Sequence, residues 1–333
     1  VRIHLVLAGL LVACGGAAAP PDSTGPSGVP SGAESPPGVG AESPAGVGAE
    51  SPARVGAESP AGVGAESPAS VGAESPARVA LEDRADLANA FTERGFDGAF
   101  VSWEAGATTG VCVGGELCGR VMVPASTYKI PHALIALETG VATGPDHERE
   151  WDGEERAIDA WNRDHTLASA IEFSAVWYFQ EVAREIGPER MRDWLGRLDF
   201  GNGEIGSEID QFWLDGPLAI SPRDQVAWWH RFMAGDLPVS AEHQEQVAAM
   251  ATRERWEGGR LVAKTGWATM DGRDHGWLVG CVEHEATPSR CFATLVLAPD
   301  PFDQGAFLAA RTDISRELLR ALGSPIPAAP PTR

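Results

Sequence analysis

An α+β sandwich is the architecture this 333-residue sequence predicts, with an antiparallel sheet built from both chain ends and a helical region between them. Three observations point there. Strand-like segments occur from Phe96 to Met122 and return at Arg260 to Leu297. Helical spacing of apolar residues dominates the interval between them. Between Gly15 and Arg78 there is almost no large apolar residue, which sets the folded domain at residues 79–326.

At the start of the chain Arg2 precedes the apolar run Ile3 to Ala13. Residues 1–14 read as an export signal, too short to persist as a spanning helix. The run ends in Leu11-Val12-Ala13-Cys14, which looks like a bacterial lipobox, so Cys14 is expected to carry a lipid that holds the exported chain at the cell envelope. An ordinary cleaved signal with an incidental cysteine is the alternative. In residues 15–78 the tetrapeptide Ala-Glu-Ser-Pro recurs every eight residues from Ala33 to Ala73. Such a unit has too little apolar surface to offset the entropy of ordering, and a disordered tether between lipid and domain is expected. Residues 327–333 are expected to form a disordered tail.

Within the domain, Leu81 to Arg94 has helical spacing, and Phe96 to Met122 reads as strands with a Gly-rich hairpin. Ser126 to Thr139 is a helix closed by Gly140. Helical patterns continue from Trp151 to Gly196, and a loop-rich stretch runs from Phe200 to Ser221. Ser221 then caps a helix to Ala234 with Pro222 in its first turn. Strands follow at Arg260 to Ala268, Gly276 to Glu283 and Cys291 to Leu297, and Thr312 to Leu322 is a closing helix.

The formal charge is −21. Asp22 and the six repeat glutamates against Arg54 and Arg78 leave the tether at −5, so most of the negative charge lies on the domain. A surface that acidic repels phosphate backbones and argues against nucleic acid as a partner. Apart from Cys14 the cysteines are Cys112, Cys118, Cys281 and Cys291. Export permits disulfides. Cys112 and Cys118 flank the turn signal Gly114-Gly115, and Cys281 and Cys291 flank the turn-like stretch Glu285 to Ser289. Two local bridges are the natural expectation, although four cysteines allow three pairings and also free thiols.

The chain uses lysine at two positions only, Lys129 and Lys264, among 26 Lys and Arg residues. Arginine stays protonated in proteins, whereas a buried lysine can give up its proton and act as a base. Position decides whether the two are chance survivors. Ser126-Thr127-Tyr128-Lys129 opens a helix, and a spacing of three puts Ser126 and Lys129 on one face. The apolar residues that follow (Ile130, Ala133, Leu134 and Leu137) bury that helix, which desolvates the amine and lowers its pKa. A neutral amine beside a hydroxyl is an activated nucleophile. The second lysine lies in Lys264-Thr265-Gly266 on a strand, where a cation and a hydroxyl suit a substrate carboxylate and Gly266 admits a ligand to the backbone. Each motif alone is weak. Ser-x-x-Lys followed by Lys-Thr-Gly, with both lysines in both motifs, marks a penicillin-recognising serine enzyme. The histidines show no HxH or HExxH spacing, so no metal site is expected, and no serine sits in a G-x-S-x-G elbow.

From Phe96 to about Leu322 the chain resembles the class D β-lactamases, the oxacillinases. The supporting stretches are Pro124-Ala125-Ser126-Thr127-Tyr128-Lys129-Ile130-Pro131, Trp151-Asp152-Gly153, Trp161-Asn162-Arg163-Asp164-His165-Thr166-Leu167, Ser174-Ala175-Val176-Trp177-Tyr178-Phe179-Gln180, Phe200-Gly201-Asn202 and Phe212-Trp213-Leu214-Asp215-Gly216. The family commonly has Phe and Asn at the positions of Tyr128 and His132, and often Tyr at Phe200. The resemblance implies the serine β-lactamase and penicillin-binding-protein sandwich as the fold and hydrolysis of β-lactams, penicillins among them, as the activity.

It further implies that Lys129 reacts with carbon dioxide to form a carbamate, the general base for acylation and deacylation, with no other cofactor. Val176 then forms an apolar wall against Lys129, where a class A enzyme has Ser-Asp-Asn and a separate glutamate. The Trp213 indole holds the carbamate, Ser174 relays a proton to the leaving nitrogen, and Arg311, opening the last helix, binds the substrate carboxylate. The backbone N–H groups of Ser126 and Trp267 form the oxyanion hole. Two other functions share these motifs: a β-lactam sensor that is acylated without turnover, and a penicillin-binding transpeptidase or peptidase. Ser174-x-Val176 and the Trp213 segment favour the hydrolase over the transpeptidase.

Overall fold

A computed structural model describes residues 79–328. The export signal, the lipobox Cys14 and the repeat tether lie outside the described residues, as do residues 329–333 of the tail. The strands are β1 (Ala80–Asp83), β2 (Asp97–Glu104), β3 (Thr109–Val113), β4 (Glu148–Arg149), β5 (His165–Thr166), β6 (Thr252–Trp256), β7 (Gly259–Met270), β8 (Arg273–His284) and β9 (Thr287–Leu297). The helices are α1 (Asn89–Thr92), α2 (Lys129–Glu138), α3 (Leu167–Glu172), α4 (Val176–Ile186), α5 (Pro188–Leu198), α6 (Pro222–Ala234), α7 (Ala241–Met250) and α8 (Gln304–Ala321).

Seven strands form one sheet in the order β1-β3-β2-β9-β8-β7-β6. Early and late strands meet where β2 pairs antiparallel with β9, from Asp97 opposite Leu297 to Glu104 opposite Arg290. The expectation of a sheet from both chain ends is met. The sheet is nevertheless mixed rather than wholly antiparallel, because β1 runs parallel to β3.

The central strands bury both faces with a period of two. On β8, Trp277, Val279 and Cys281 join the larger core, while Leu278 and Val282 join the smaller one beneath α1 and α8. On β9, Cys291, Ala293 and Leu295 alternate in the same way with Phe292 and Val296. The larger core also takes the inner faces of α2, α4, α5 and α6, so the helical region covers one side of the sheet and α1 with α8 the other. Both expected bridges are present, Cys112–Cys118 and Cys281–Cys291, the second joining directly opposed residues of β8 and β9.

Several local expectations are corrected. Residues 81–94 do not form one helix. The backbone at Arg84 is non-helical (φ −110°, ψ 58°), its N–H donates to the Cys112 carbonyl at 2.8 Å, and the chain before it pairs with the edge of β3. Gly114-Gly115 is not a hairpin turn. β2 and β3 are joined through residues 105–108, and Gly114 (φ +113°) instead starts a 3-10 turn over Gly115–Gly119. Residues 151–166 are mostly loop rather than helix. Trp161 is buried there, its indole donating to the Phe173 carbonyl and its own carbonyl accepting from the Trp177 indole of α4, both at 2.9 Å, so an apolar residue is held inside without a helix. The last helix starts at Gln304, capped by Asp303, so Arg311 lies inside it rather than opening it. The helix α6 starts as expected, with Ser221 accepting from the Asp224 N–H and Pro222 in its first turn. No helix among the described residues is long and apolar enough to cross a membrane.

Candidate active site

Ser126 does not lie in the α-helix itself. It sits in a 3-10 turn, Ala125–Tyr128, that leads into α2. Ala125, the residue before it, has φ +50°, a left-handed conformation that costs an alanine on the order of 1 kcal/mol. Neighbouring elements enforce it. Met122 and Ile220 exchange backbone hydrogen bonds, both at 3.0 Å. His275 Nε2 and Trp277 Nε1 on β8 both donate to the Val123 carbonyl, at 2.9 and 3.0 Å. Thr127 Oγ1 donates to the Pro124 carbonyl at 2.8 Å and accepts from Gln225 Nε2 of α6 at 2.9 Å. The turn is thereby tied to β8, α6 and the loop before α6, which holds the Ser126 hydroxyl in place.

Lys129 is the first residue of α2 and is fully buried, 0% exposed. Its Nζ lies 2.9 Å from Ser126 Oγ, its one hydrogen bond among the described residues. The Phe179 ring of α4 lies 5.5 Å from the same nitrogen. An ammonium there would leave two of its three donors unmet in apolar surroundings, and desolvation brings the Lys129 pKa down to about 7. The neutral amine expected from the sequence is therefore accessible near neutral pH.

Ser174 and Lys264 form a second pair. Lys264, on β7, is also buried, and its Nζ donates to Ser174 Oγ at 2.9 Å and to the Thr265 carbonyl at 3.2 Å. Burial and the neighbouring charges of Lys129, Arg253 and Arg311 push its pKa well down. Ser174 occupies the link between α3 and α4 with φ +59°. The Trp161 indole, bonded to the Phe173 carbonyl, and the Ala175 N–H, bonded to the Ala170 carbonyl at 2.9 Å, fix that link on both sides.

Gly266 serves the protein as well as any ligand. A Cβ there would lie 2.8 Å from the Pro124 carbonyl oxygen and 3.1 Å from Thr127 Cγ2. The glycine lets β7 abut the turn that carries Ser126 and so brings the Ser126 and Trp267 segments together. Thr265 is half-buried on the same strand. The Trp267 indole donates to Asp274 Oδ1 at 2.7 Å and its ring meets Phe307 edge-on.

Arg311 arrives from α8, on the far side of the sheet. Its Nη1 donates to the Gly266 carbonyl at 2.9 Å, and no acidic side chain pairs with it among the described residues. Burial lowers its pKa to about 10, which still leaves a cation at neutral pH. Gly276 makes room for it, a role that sequence reasoning missed although a lone glycine within a strand pattern is a signal of close approach.

Trp213 is fully buried in the loop between α5 and α6, against Tyr128, His132 and Phe212, and its Nε1 has no hydrogen-bond partner among the described residues. Val176 begins α4 and is half-buried against the larger core. The apolar group seen over the Lys129 amine is Phe179, one turn further along α4, which sequence reasoning did not single out.

Comparison with known proteins agrees with this geometry. Residues 107–320 match the penicillin binding protein transpeptidase domain. The chain is 38% identical over 194 residues to the β-lactamase OXA-48 of Klebsiella pneumoniae, covering 58% of this chain and 73% of that protein. It is also 38% identical over 199 residues to the β-lactamase OXA-3 of Pseudomonas aeruginosa, covering 60% and 70%. Among solved structures it is similar to FUS-1 (OXA-85), a class D β-lactamase from Fusobacterium nucleatum subsp. polymorphum. That match has a TM-score of 0.69 and 34% identity, and covers 74% of this chain and 100% of the other.

Proposed function

The chain belongs to the class D serine β-lactamases, and we propose that it hydrolyses β-lactams, penicillins among them, through an acyl-enzyme on Ser126 with Lys129 as the base. What carries this assignment is the 2.9 Å contact between Ser126 Oγ and the buried Lys129 amine.

In the first half-reaction Ser126 Oγ attacks the lactam carbonyl, its proton passes to the base at Lys129, and the lactam C–N bond breaks. Ser174, whose hydroxyl Lys264 holds at 2.9 Å, gives its proton to the leaving nitrogen and takes back the one that the base at Lys129 removed from Ser126, which frees the base for the second half-reaction. The N–H groups of Ser126 and Trp267 stabilise the oxyanion. Arg311 and Lys264, with Thr265, receive the substrate carboxylate, for which Arg311 has no internal competitor among the described residues. In the second half-reaction water, activated at Lys129, cleaves the ester and restores Ser126.

The residues around Lys129 suit its carboxylation by carbon dioxide. The amine is buried, with a pKa near 7, and the orphaned Trp213 N–H belongs to the same aromatic cluster as Tyr128, the residue before Lys129. A carboxylated lysine supplies an anionic general base at this position. The Phe179 ring of α4 lies over the amine and shields it from water, while Val176 at the start of that helix packs against the larger core. We also assign export and lipid anchoring through Cys14, supported by the lipobox-like end of the apolar run, with the envelope or periplasm as the location.

Mixing the protein with excess chromogenic cephalosporin tests the hydrolase directly. Sustained turnover is expected. A burst equal to the enzyme concentration followed by arrest would mark a sensor and overturn the assignment.

A further inference from the structure

We propose that His132 is a positioning residue for the base, its imidazole acting with the Trp213 indole to hold the carboxylate on Lys129. This role rests on the carboxylation proposed above.

His132 lies on α2 three residues after Lys129, on the same helical face. It is 0% exposed, and neither ring nitrogen has a hydrogen-bond partner among the described residues. A buried neutral imidazole carries one donor and one acceptor, and leaving both unmet is costly. The ring packs against Tyr128 and Phe179, both at 5.2 Å, and meets Trp213 edge-on at 5.1 Å. Phe179 is also the ring beside the Lys129 amine. Two polar side chains without a hydrogen-bond partner among the described residues, one from α2 and one from the loop before α6, are therefore in contact within the aromatic cluster whose Phe179 ring borders the buried amine. A core histidine kept only for packing has no need of that company, because an aromatic hydrocarbon would fill the cluster without unmet hydrogen bonds.

Charge points the same way. Burial and the Lys129 ammonium together hold the His132 pKa down to about 3, so the ring is neutral. Tyr128, in the turn that leads into α2, is kept protonated by burial, and the α4 and loop side chains that touch the ring, Phe179 and Trp213, carry no charge. Carboxylation turns the Lys129 charge from positive to negative and reverses its effect on the imidazole. The ring N–H then gains an anionic acceptor, and by linkage whatever the imidazole contributes to the carboxylate raises the affinity for carbon dioxide. An amide side chain at this position would also offer a donor.

The test is a titration of the purified protein with ¹³C-labelled bicarbonate, reading the carbamate carbon by NMR, with Lys129→Arg as the blank. His132→Phe, which keeps a ring in the cluster, is expected to weaken the bicarbonate dependence by about ten- to a hundredfold, and His132→Asn to restore most of it. A wild-type bicarbonate dependence in His132→Phe, with only thermal stability altered, would leave a packing role and overturn the proposal. Should that variant not fold, the ¹⁵N-labelled wild-type ring decides. Its His132 nitrogen shifts are expected to move with the same midpoint as the carbamate signal, and unmoved shifts would overturn the role. Absence of any carbamate signal in the wild type would overturn the carboxylation itself, and this role with it.

Discussion

Arg311 crosses β8 directly over Gly276: a Cβ built on that glycine would lie 2.6 Å from Arg311 Cδ and 3.2 Å from its Cγ. The guanidinium reaches the Gly266 carbonyl from the opposite side of the sheet because the strand presents no side chain at that point. Gly276→Ala therefore pushes the Arg311 stem, and with it the Phe307 ring at 2.9 Å, out of place while meeting neither Ser126 nor Lys129. KM for carboxylate-bearing penicillins is expected to rise about tenfold or more with kcat within a few-fold, as for a lost charged hydrogen bond. Arg311→Ala should reproduce the effect, and the double variant should add little to it. Steady-state kinetics on the three proteins checks this, and an unchanged KM in Gly276→Ala would remove Arg311 from the substrate pocket.

Lys129→Arg keeps a cation and removes the base, because a guanidinium neither deprotonates near pH 7 nor reacts with carbon dioxide. Turnover is expected to fall by at least 10²–10⁴-fold, the usual worth of general-base catalysis. Slow acylation of Ser126 without release should be visible as a stable mass increase on the intact protein. Near wild-type hydrolysis would sink the assignment of the base.

The Lys129 pKa also fixes a pH dependence. Below about pH 7 the buried amine is protonated and cannot be carboxylated; above it the neutral form prevails. Enzyme equilibrated about one to two units below that pKa should be slow, and should recover on transfer to neutral or mildly alkaline buffer faster with bicarbonate than without. Indifference to bicarbonate would point to an unmodified amine as the base.

The same shift makes Lys129 a liability for stability. Its folded pKa of about 7 lies below the ordinary 10.5, so between those values the unfolded chain binds one proton more than the native one and stability rises with pH. Below about pH 7 the cost is fully present, up to roughly 4–5 kcal/mol before the lost Ser126 hydrogen bond is set against it. Lys129→Met should thus be the more stable protein at acidic and neutral pH in bicarbonate-free buffer. Its advantage should shrink as pH climbs towards 10.5, and denaturant melts across that range measure it.

The chemistry was more legible in the sequence than the packing that supports it. Ser126, Lys129 and Lys264 stood out because two lysines among 26 basic residues fall in two spaced motifs, and both lysines sit 2.9 Å from a serine hydroxyl. Local patterns say nothing of contacts between distant segments. The crossing of Arg311 over Gly276, the tie from β8 to Val123 and the unmet nitrogens of His132 and Trp213 all arise that way. Residues 81–94 show the converse: their apolar spacing fits a helix, but the free edge of β3 offered the backbone of Ala80–Asp83 a better set of hydrogen bonds.

Ser174 brings strain and chemistry together at one residue. Its φ of +59° is a conformation in which glycine carries no penalty, whereas its hydroxyl is held by Lys264 in the position from which the leaving nitrogen would be protonated. Ser174→Gly relieves the first and deletes the second; Ser174→Ala deletes the hydroxyl and keeps the strain. Both variants should lose activity by about 10²-fold or more if the hydroxyl is the proton relay. Their stabilities should differ, with the glycine variant ahead of the alanine variant by about 1 kcal/mol. A glycine variant that retained activity would show that the geometry of the link, and not its hydroxyl, is what the reaction needs.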